Sequence, residues 1–326
     1  MKTCIYGAGA IGGWIGLRLA KAGCDVSVVA RGATLAAIRQ DGLSLTQAAG
    51  GKTDHAQVRA SSSPAELGVQ DLVVVAVKAP AMTDVARAIG PLIGPHTIVL
   101  TAMNGVPWWF LEGFGGRYAG TRLKSVDADG SIAGHIPAKH IVGCVVHASC
   151  SLDGPGQVRQ HFGNKLIIGE PYGEKTGRVR ELAALLERSG FECVIAEQIQ
   201  KDAWFKLWGN MTMNPISAMT GATTDLVLDD ELVRAFIGKV MLEAKEIGAR
   251  IGIPIDQDPE DRHAVTRKLG AFKTSMLQDV EARKPVELDA LVTVVKELGE
   301  LTGVATPCTD ALLGLSRLHA RVHGLY

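Results

Sequence analysis

Up to about residue 197 the apolar residues come in short unbroken runs, and beyond it they recur every three or four positions. Continuous apolar runs of five to eight residues predict strands buried on both faces of a parallel sheet, whereas the longer period predicts amphipathic helices. The first run, 1–6, enters a glycine turn. Trp14, Ile15, Leu17 and Leu19 then mark a helix over about 10–22, Gly23 stops it, and a second strand follows over 25–30. The run Asp71 to Val77 predicts a central strand, followed by a helix from about 82 to 90 and another strand over 97–103 that ends in Asn104-Gly105. Strands over 141–148 and 158–168 flank Asp153-Gly154-Pro155-Gly156, a turn-rich segment that predicts an antiparallel addition to the sheet. A helix over 177–189 and a strand over 191–196 complete this half.

Helical patterns follow over 198–214, 229–252, 259–283, 286–303 and 307–322, broken by Gly221, Gly252-Ile253-Pro254, Lys284-Pro285 and the stretch from Gly303 to Pro307. The expected class is therefore α/β, a Rossmann-like dinucleotide-binding domain over 1–197 followed by an all-α domain over 198–326. The aromatic and glycine-rich segment 108–120 fits neither pattern and reads as a lid or an insertion.

The glycine turn is the first chemical signal. Gly7-Ala8-Gly9-Ala10-Ile11-Gly12 stands between a strand and a helix, the setting in which G-x-G-x-x-G binds a pyrophosphate. Gly7 makes the turn, Gly9 admits the phosphates to the backbone, and Gly12 lets the helix pack on the sheet. The helix dipole then favours the anion. The end of the second strand selects the cofactor. An NAD-binding chain places a carboxylate there for the ribose hydroxyls, but this one has Ala30-Arg31-Gly32. The Arg31 guanidinium suits a 2′-phosphate, so NADP (NADPH) is expected, the alternative being an ordinary surface arginine. Lys78 and Asn104 lie at the carboxyl ends of strands, where open α/β sheets bind ligands.

Composition narrows the class further. In 326 residues, 34 basic and 34 acidic side chains cancel, so there is no footprint for nucleic acid or an anionic membrane. The six cysteines have no metal-ligand spacing, no metal is expected, and no apolar run reaches membrane-spanning length. A cytoplasmic enzyme with a small-molecule partner is the reading that remains. The helical domain is a candidate surface for a homodimer, which nothing in the pattern demands.

The segment 200–215 carries the second signal. Asp202, Lys206, Asn210 and Asn214 recur every four residues and form a narrow polar stripe about 12 Å long from Lys206 to Asn214. Pro215 is expected to end or kink the helix there. Such a stripe is a solvated face on most helices. Asparagine is a poor helix former, however, and the rest of this helix is largely apolar, which fits the wall of a polar cleft. A lysine there can protonate an oxyanion while the amides orient a substrate. Ser275 and Glu287 in later helices are unremarkable taken alone.

Taken together these motifs resemble the ketopantoate reductase (2-dehydropantoate 2-reductase) family. The resemblance rests on the glycine turn, Arg31, Val77-Lys78-Ala79, Asn104-Gly105, Lys206-x-x-x-Asn210-x-x-x-Asn214-Pro215, Ser275-Met276-Leu277-Gln278-Asp279 and Glu287-Leu288-Asp289. It implies a cleft between two domains in which NADPH reduces the C2 ketone of a 2-oxo acid to pantoate, a step of pantothenate and coenzyme A biosynthesis. By the same resemblance Lys206 donates the proton, and Glu287 sits near the nicotinamide ribose of the cofactor and helps to position Lys206. Asn210, Asn214 and Ser275 hold the substrate, Asn104 touches both ligands, and Arg31, Lys78 and Ala148 contact the cofactor. Two departures stand out. Phe272 and Thr224 occupy positions where many members carry asparagine, so a reductase of a different 2-oxo acid is the alternative. A non-catalytic NADP-binding sensor is a third reading, disfavoured by the presence of a proton donor.

Overall fold

The unbroken apolar runs become the middle of a ten-stranded sheet in the computed structural model, which describes residues 1–47 and 51–326. Its strands are β1 (Lys2–Tyr6), β2 (Asp25–Val29), β3 (Leu43–Gln47), β4 (Thr53–Ala56), β5 (Arg59–Ser61), β6 (Gln70–Val75), β7 (Ile93–Ala102), β8 (Ile141–Gly154), β9 (Gln157–Gly169) and β10 (Glu192–Ile195). The order is β4-β3-β9-β8-β7-β6-β1-β2-β5, and β10 pairs with β9. Five neighbouring pairs from β8 to β5 are parallel, which is why Leu72 to Val75 are fully buried and read as one apolar run. The hairpin of β8 and β9 is antiparallel, as the glycine- and proline-rich turn predicts.

Helices α1 (Ala10–Lys21), α2 (Gly32–Asp41), α3 (Met82–Ala88), α4 (Ser131–His135) and α5 (Gly177–Arg188) accompany the sheet. The pattern gave no sign of α2, β3, β4 or β5. The cause is physical: α2 fully buries only Ile38, and the three strands are short, so none carries an apolar period long enough to read.

The chain separates into two compact units, residues 1–103 with 131–199 and residues 104–130 with 200–326. The second holds α6 (Ile199–Thr220, from its second residue on), α7 (Thr224–Asp229), α8 (Glu231–Arg250), α9 (Pro259–Arg267), α10 (Ser275–Glu281), α11 (Val294–Thr302) and α12 (Pro307–Val322). Segment 104–130 is neither a lid nor an appendage. Phe110, Leu111, Tyr118 and Leu123 are buried in one core with Trp204 and Trp208, and Phe110 lies 6.0 Å from Trp204 ring to ring. The Glu297 carboxylate fastens the segment by accepting from the backbone N–H of Lys124 (2.6 Å) and Ser125 (2.9 Å). An interaction between residues so distant in the chain leaves no trace in local periodicity.

Four of the expected helices depart from the pattern. α6 continues through Pro215 to Thr220, so the expected end or kink at Asn214 does not terminate it. Proline removes one N–H, here the donor for the Met211 carbonyl, but burial of 211–218 on all sides holds the helix together. The stretch 229–252 divides at Asp230, whose carboxylate caps α8 by accepting from Leu232 and Val233 N–H. The stretch 259–283 divides between Arg267 and the Thr274 cap of α10, and 286–303 opens on a π-helical turn, Asp289–Thr293. Among the described residues no helix is long and apolar enough to cross a membrane.

Candidate functional site

The glycine turn is built as its spacing requires. Gly7 has φ +100°, and a Cβ there would meet Val77 Cγ1 at 2.6 Å. A Cβ on Gly12 would stand 2.0 Å from the Gly7 carbonyl oxygen, so only glycine lets α1 approach β1 this closely. Gly9 is different: nothing lies within 4 Å of its Cβ position. That open side is where a phosphate can reach the backbone. Gly9 caps α1, whose first turn carries no acidic residue to oppose an anion. Ala8 is buried beneath the turn, and Ala10 and Ile11 form the half-buried start of the helix.

Beside the turn lies a cavity of about 310 Å³ lined by Tyr6 to Gly9, the ends of β2 and α3, and Val77. Arg31, exposed at the start of α2, stands on its wall together with Thr34, Asp84 and Leu152. These last three carry no motif, and the sequence did not single them out. Burial pushes the Tyr6 phenol up, while the Arg31 charge pulls it down and Asp84 pushes it up, so these side chains share one electrostatic environment. An open backbone cradle, a helix N-terminus and a cation on the wall fit a dinucleotide. Lys78 starts the turn that follows β6, half-buried and next to the Val77 that presses on Gly7. Ala148 sits where the pairing of β8 with β9 slips, close to Gly163.

The helical unit assembles a second group. Lys206 Nζ donates to Asn104 Oδ1 at 2.7 Å, joining two residues 102 positions apart. What sets Asn104 is its neighbour. Gly105 has φ +84°, and a Cβ there would meet the Ala290 carbonyl oxygen at 2.4 Å. The Val106 N–H donates to that same carbonyl at 2.9 Å. The π-helical turn that carries Ala290 therefore holds the Asn104-Gly105-Val106 backbone against Lys206, a role for a π-turn at a functional site that no local pattern announces.

Asn210 is half-buried on α6 one turn beyond Lys206, and Asn214 is 6% exposed one turn further. Ser275 is exposed as the first residue of α10, after Thr274, whose hydroxyl accepts from Leu277 N–H at 3.2 Å. Glu287 is 8% exposed, just ahead of the π-turn. The C-terminal residues cover this region: Val286 N–H donates to the Leu325 carbonyl, and Tyr326 Oη donates to Asp289 Oδ1 at 2.7 Å.

The two unusual residues are neighbours. Thr224 N–H donates to the Phe272 carbonyl at 3.0 Å, and its hydroxyl donates to the Gly270 carbonyl at 2.8 Å. The Thr224 side chain is thus committed to backbone, and it is 2% exposed. An asparagine there could not make the same contacts with the same shape.

Residues 3–173 match the family model Ketopantoate reductase PanE/ApbA, and residues 198–320 match the model Ketopantoate reductase PanE/ApbA C terminal. The chain belongs to the ketopantoate reductase family. It is an oxidoreductase of the NAD(P)-dependent kind, with the Rossmann-like and helical parts that the resemblance implied. A 2-dehydropantoate 2-reductase of Mesorhizobium japonicum is 44% identical to this ketopantoate reductase family member over 327 residues, covering 100% of both chains. A crystal structure from Ralstonia solanacearum, provisionally named a ketopantoate reductase, matches with a TM-score of 0.96 at 56% identity, covering 100% of this chain and 99% of that one. The 2-dehydropantoate 2-reductase of Geobacter metallireducens matches at 0.85 and 27% identity, covering 98% and 99%.

Proposed function

We propose that this reductase converts 2-dehydropantoate (ketopantoate) to pantoate in the cytoplasm with NADPH, serving pantothenate biosynthesis. The observation that carries this reading is the Lys206–Asn104 pair: an ammonium held by an amide oxygen at 2.7 Å is a proton donor of fixed position. Bound NADPH supplies the hydride. Lys206 Nζ delivers a proton to the C2 oxygen as negative charge develops there, and Asn210 and Asn214 lie along the same helix to orient the carboxylate and hydroxyl. Ser275 adds a hydroxyl, and Glu287 helps to position Lys206. The backbone N–H groups after Gly9 hold the pyrophosphate, Arg31 and Lys78 face the adenosine end, and Ala148 offers backbone to the cofactor.

The preference for NADPH is assigned to Arg31. Arg31→Ala is expected to raise KM for NADPH by roughly 10- to 100-fold, the effect of losing a charge-assisted hydrogen bond, and to change KM for NADH little. Initial rates with both cofactors measure this. An equal rise for the two would remove the 2′-phosphate from the assignment.

A second reading, reduction of another 2-oxo acid, is favoured by the linked Thr224–Phe272 pair. Replacing two amides by a committed hydroxyl and a phenyl ring takes donors away from the substrate and adds volume. Following NADPH oxidation with ketopantoate beside a panel of 2-oxo acids separates the readings. Ketopantoate is expected to give the highest kcat/KM. A much higher value for a bulkier or less polar 2-oxo acid would promote the second reading, and no turnover of any would sink both.

A further inference from the structure

Gly209 lies inside α6, one position before Asn210, where a glycine weakens the helix unless its missing side chain makes room for something. What it makes room for is Arg262 of α9. A Cβ on Gly209 would stand 2.7 Å from Arg262 Nε and 2.9 Å from Nη2, and the guanidinium carbon lies 5.6 Å over the Phe205 ring. On the helix surface Gly209 neighbours both Phe205, four positions back, and Lys206, three positions back. Arg262 is therefore seated on the flank of the polar stripe, at the level of its first two members.

Among the described residues no carboxylate pairs with this cation. Arg262 Nε is buried, and among the described residues it has no hydrogen-bond partner. The acids on its own helix and cap are engaged elsewhere. Asp258 pairs with Lys245 at 3.1 Å, Asp261 closes the cap of α9, and Glu260 faces Arg234 and His263. Burial alone pushes the Arg262 guanidinium down, with no carboxylate opposing it. A desolvated cation without an anion is costly, and the Phe205 ring face compensates only in part. The substrate of a 2-oxo acid reductase has the complementary deficit. Its carboxylate leaves water for a site whose other donors, Asn210, Asn214 and Ser275, are neutral, while Lys206 is committed to the ketone oxygen.

We infer that Arg262, seated on Gly209 and Phe205, binds the carboxylate of the 2-oxo acid. This rests on the reductase reading and adds to it the group that selects acids over neutral ketones. A guanidinium suits the task because its fork matches a carboxylate with two parallel hydrogen bonds, and Gly209 leaves it no freedom to swing into the helix.

The test compares wild type with Arg262→Met and Arg262→Lys, using the best 2-oxo acid and its neutral 2-oxo carboxamide. Arg262→Met is expected to raise KM for the acid ~30-fold with kcat and the NADPH KM nearly unchanged. It should leave the carboxamide constants where they were, so that discrimination between acid and amide collapses, and Arg262→Lys should restore part of it. Because the methionine removes a partly buried charge that no carboxylate offsets among the described residues, its melting temperature should not fall. Equal losses on acid and amide, or an unchanged KM for the acid, would overturn the assignment. The same acid-against-amide difference, read by titration calorimetry on the NADP⁺-loaded proteins, judges the arginine separately. Absence of turnover in the wild type alone would instead count against the functional reading.

Discussion

Lys206→Ala is expected to lower kcat by about 10²- to 10⁴-fold, the range by which a positioned general acid accelerates a reaction. The ketone oxygen gains a full negative charge as hydride arrives, and without Lys206 only water or neutral amides can meet it. The fold should survive. Lys206 is half-buried, its hydrogen-bond acceptor Asn104 is itself part-exposed, and the α6 core is carried by Trp204, Leu207, Trp208 and Met211. Lys206→Arg keeps the cation but holds its proton too tightly to give it up, so it should remain slow. Stopped-flow NADPH oxidation beside circular dichroism and NADPH affinity reads all of this. Activity within a few-fold of wild type in Lys206→Ala would assign the proton to another group.

Gly105→Ala is expected to combine a stability loss of about 2–4 kcal/mol with a fall in kcat of roughly 10²-fold. Two penalties coincide there. The backbone at φ +84° is poorly tolerated by an L side chain, and the new methyl would meet the Ala290 carbonyl oxygen at 2.4 Å and its Cβ at 2.8 Å. Relief requires the Asn104-Gly105-Val106 segment to lift from the π-turn, which moves the Asn104 amide away from Lys206. A matched variant separates the terms. Gly303 has φ +72° with nothing within 4 Å of its Cβ position, so Gly303→Ala meets the dihedral penalty alone and should cost only about 1 kcal/mol, with activity intact. Thermal unfolding and steady-state kinetics of the pair provide the comparison. Equal destabilisation with unchanged kcat in both would show that the Gly105–Ala290 contact does not position Asn104.

The features legible in the sequence are those written in local order. The glycine turn, the buried run at 72–75 and the four-residue stripe on α6 each repeat a backbone period, so the face each presents follows from geometry. The resemblance added roles for Asn104, Ser275 and Glu287 that their surroundings in sequence did not reveal. What escaped was whatever one segment does to another far along the chain. Helix α2 is nearly devoid of buried side chains, the π-turn at 289–293 looks like any helix opening, and segment 108–120 reads as an insertion until its aromatic rings are seen in the core. Gly209 gave a faint signal, a glycine inside a helix, but nothing local says that an arginine 53 residues later fills the space.

By itself the sequence determined a dinucleotide turn, an α/β part followed by a helical one, and a lysine–asparagine stripe capable of acid catalysis. Only the tertiary structure decided that Asn104 meets Lys206, that Ala290 holds Asn104 in place, and that Thr224 and Phe272 form one patch. The division has a physical reason. Backbone periodicity is a property of a few consecutive residues, whereas a site is made by close packing between segments that the chain has no local means of naming.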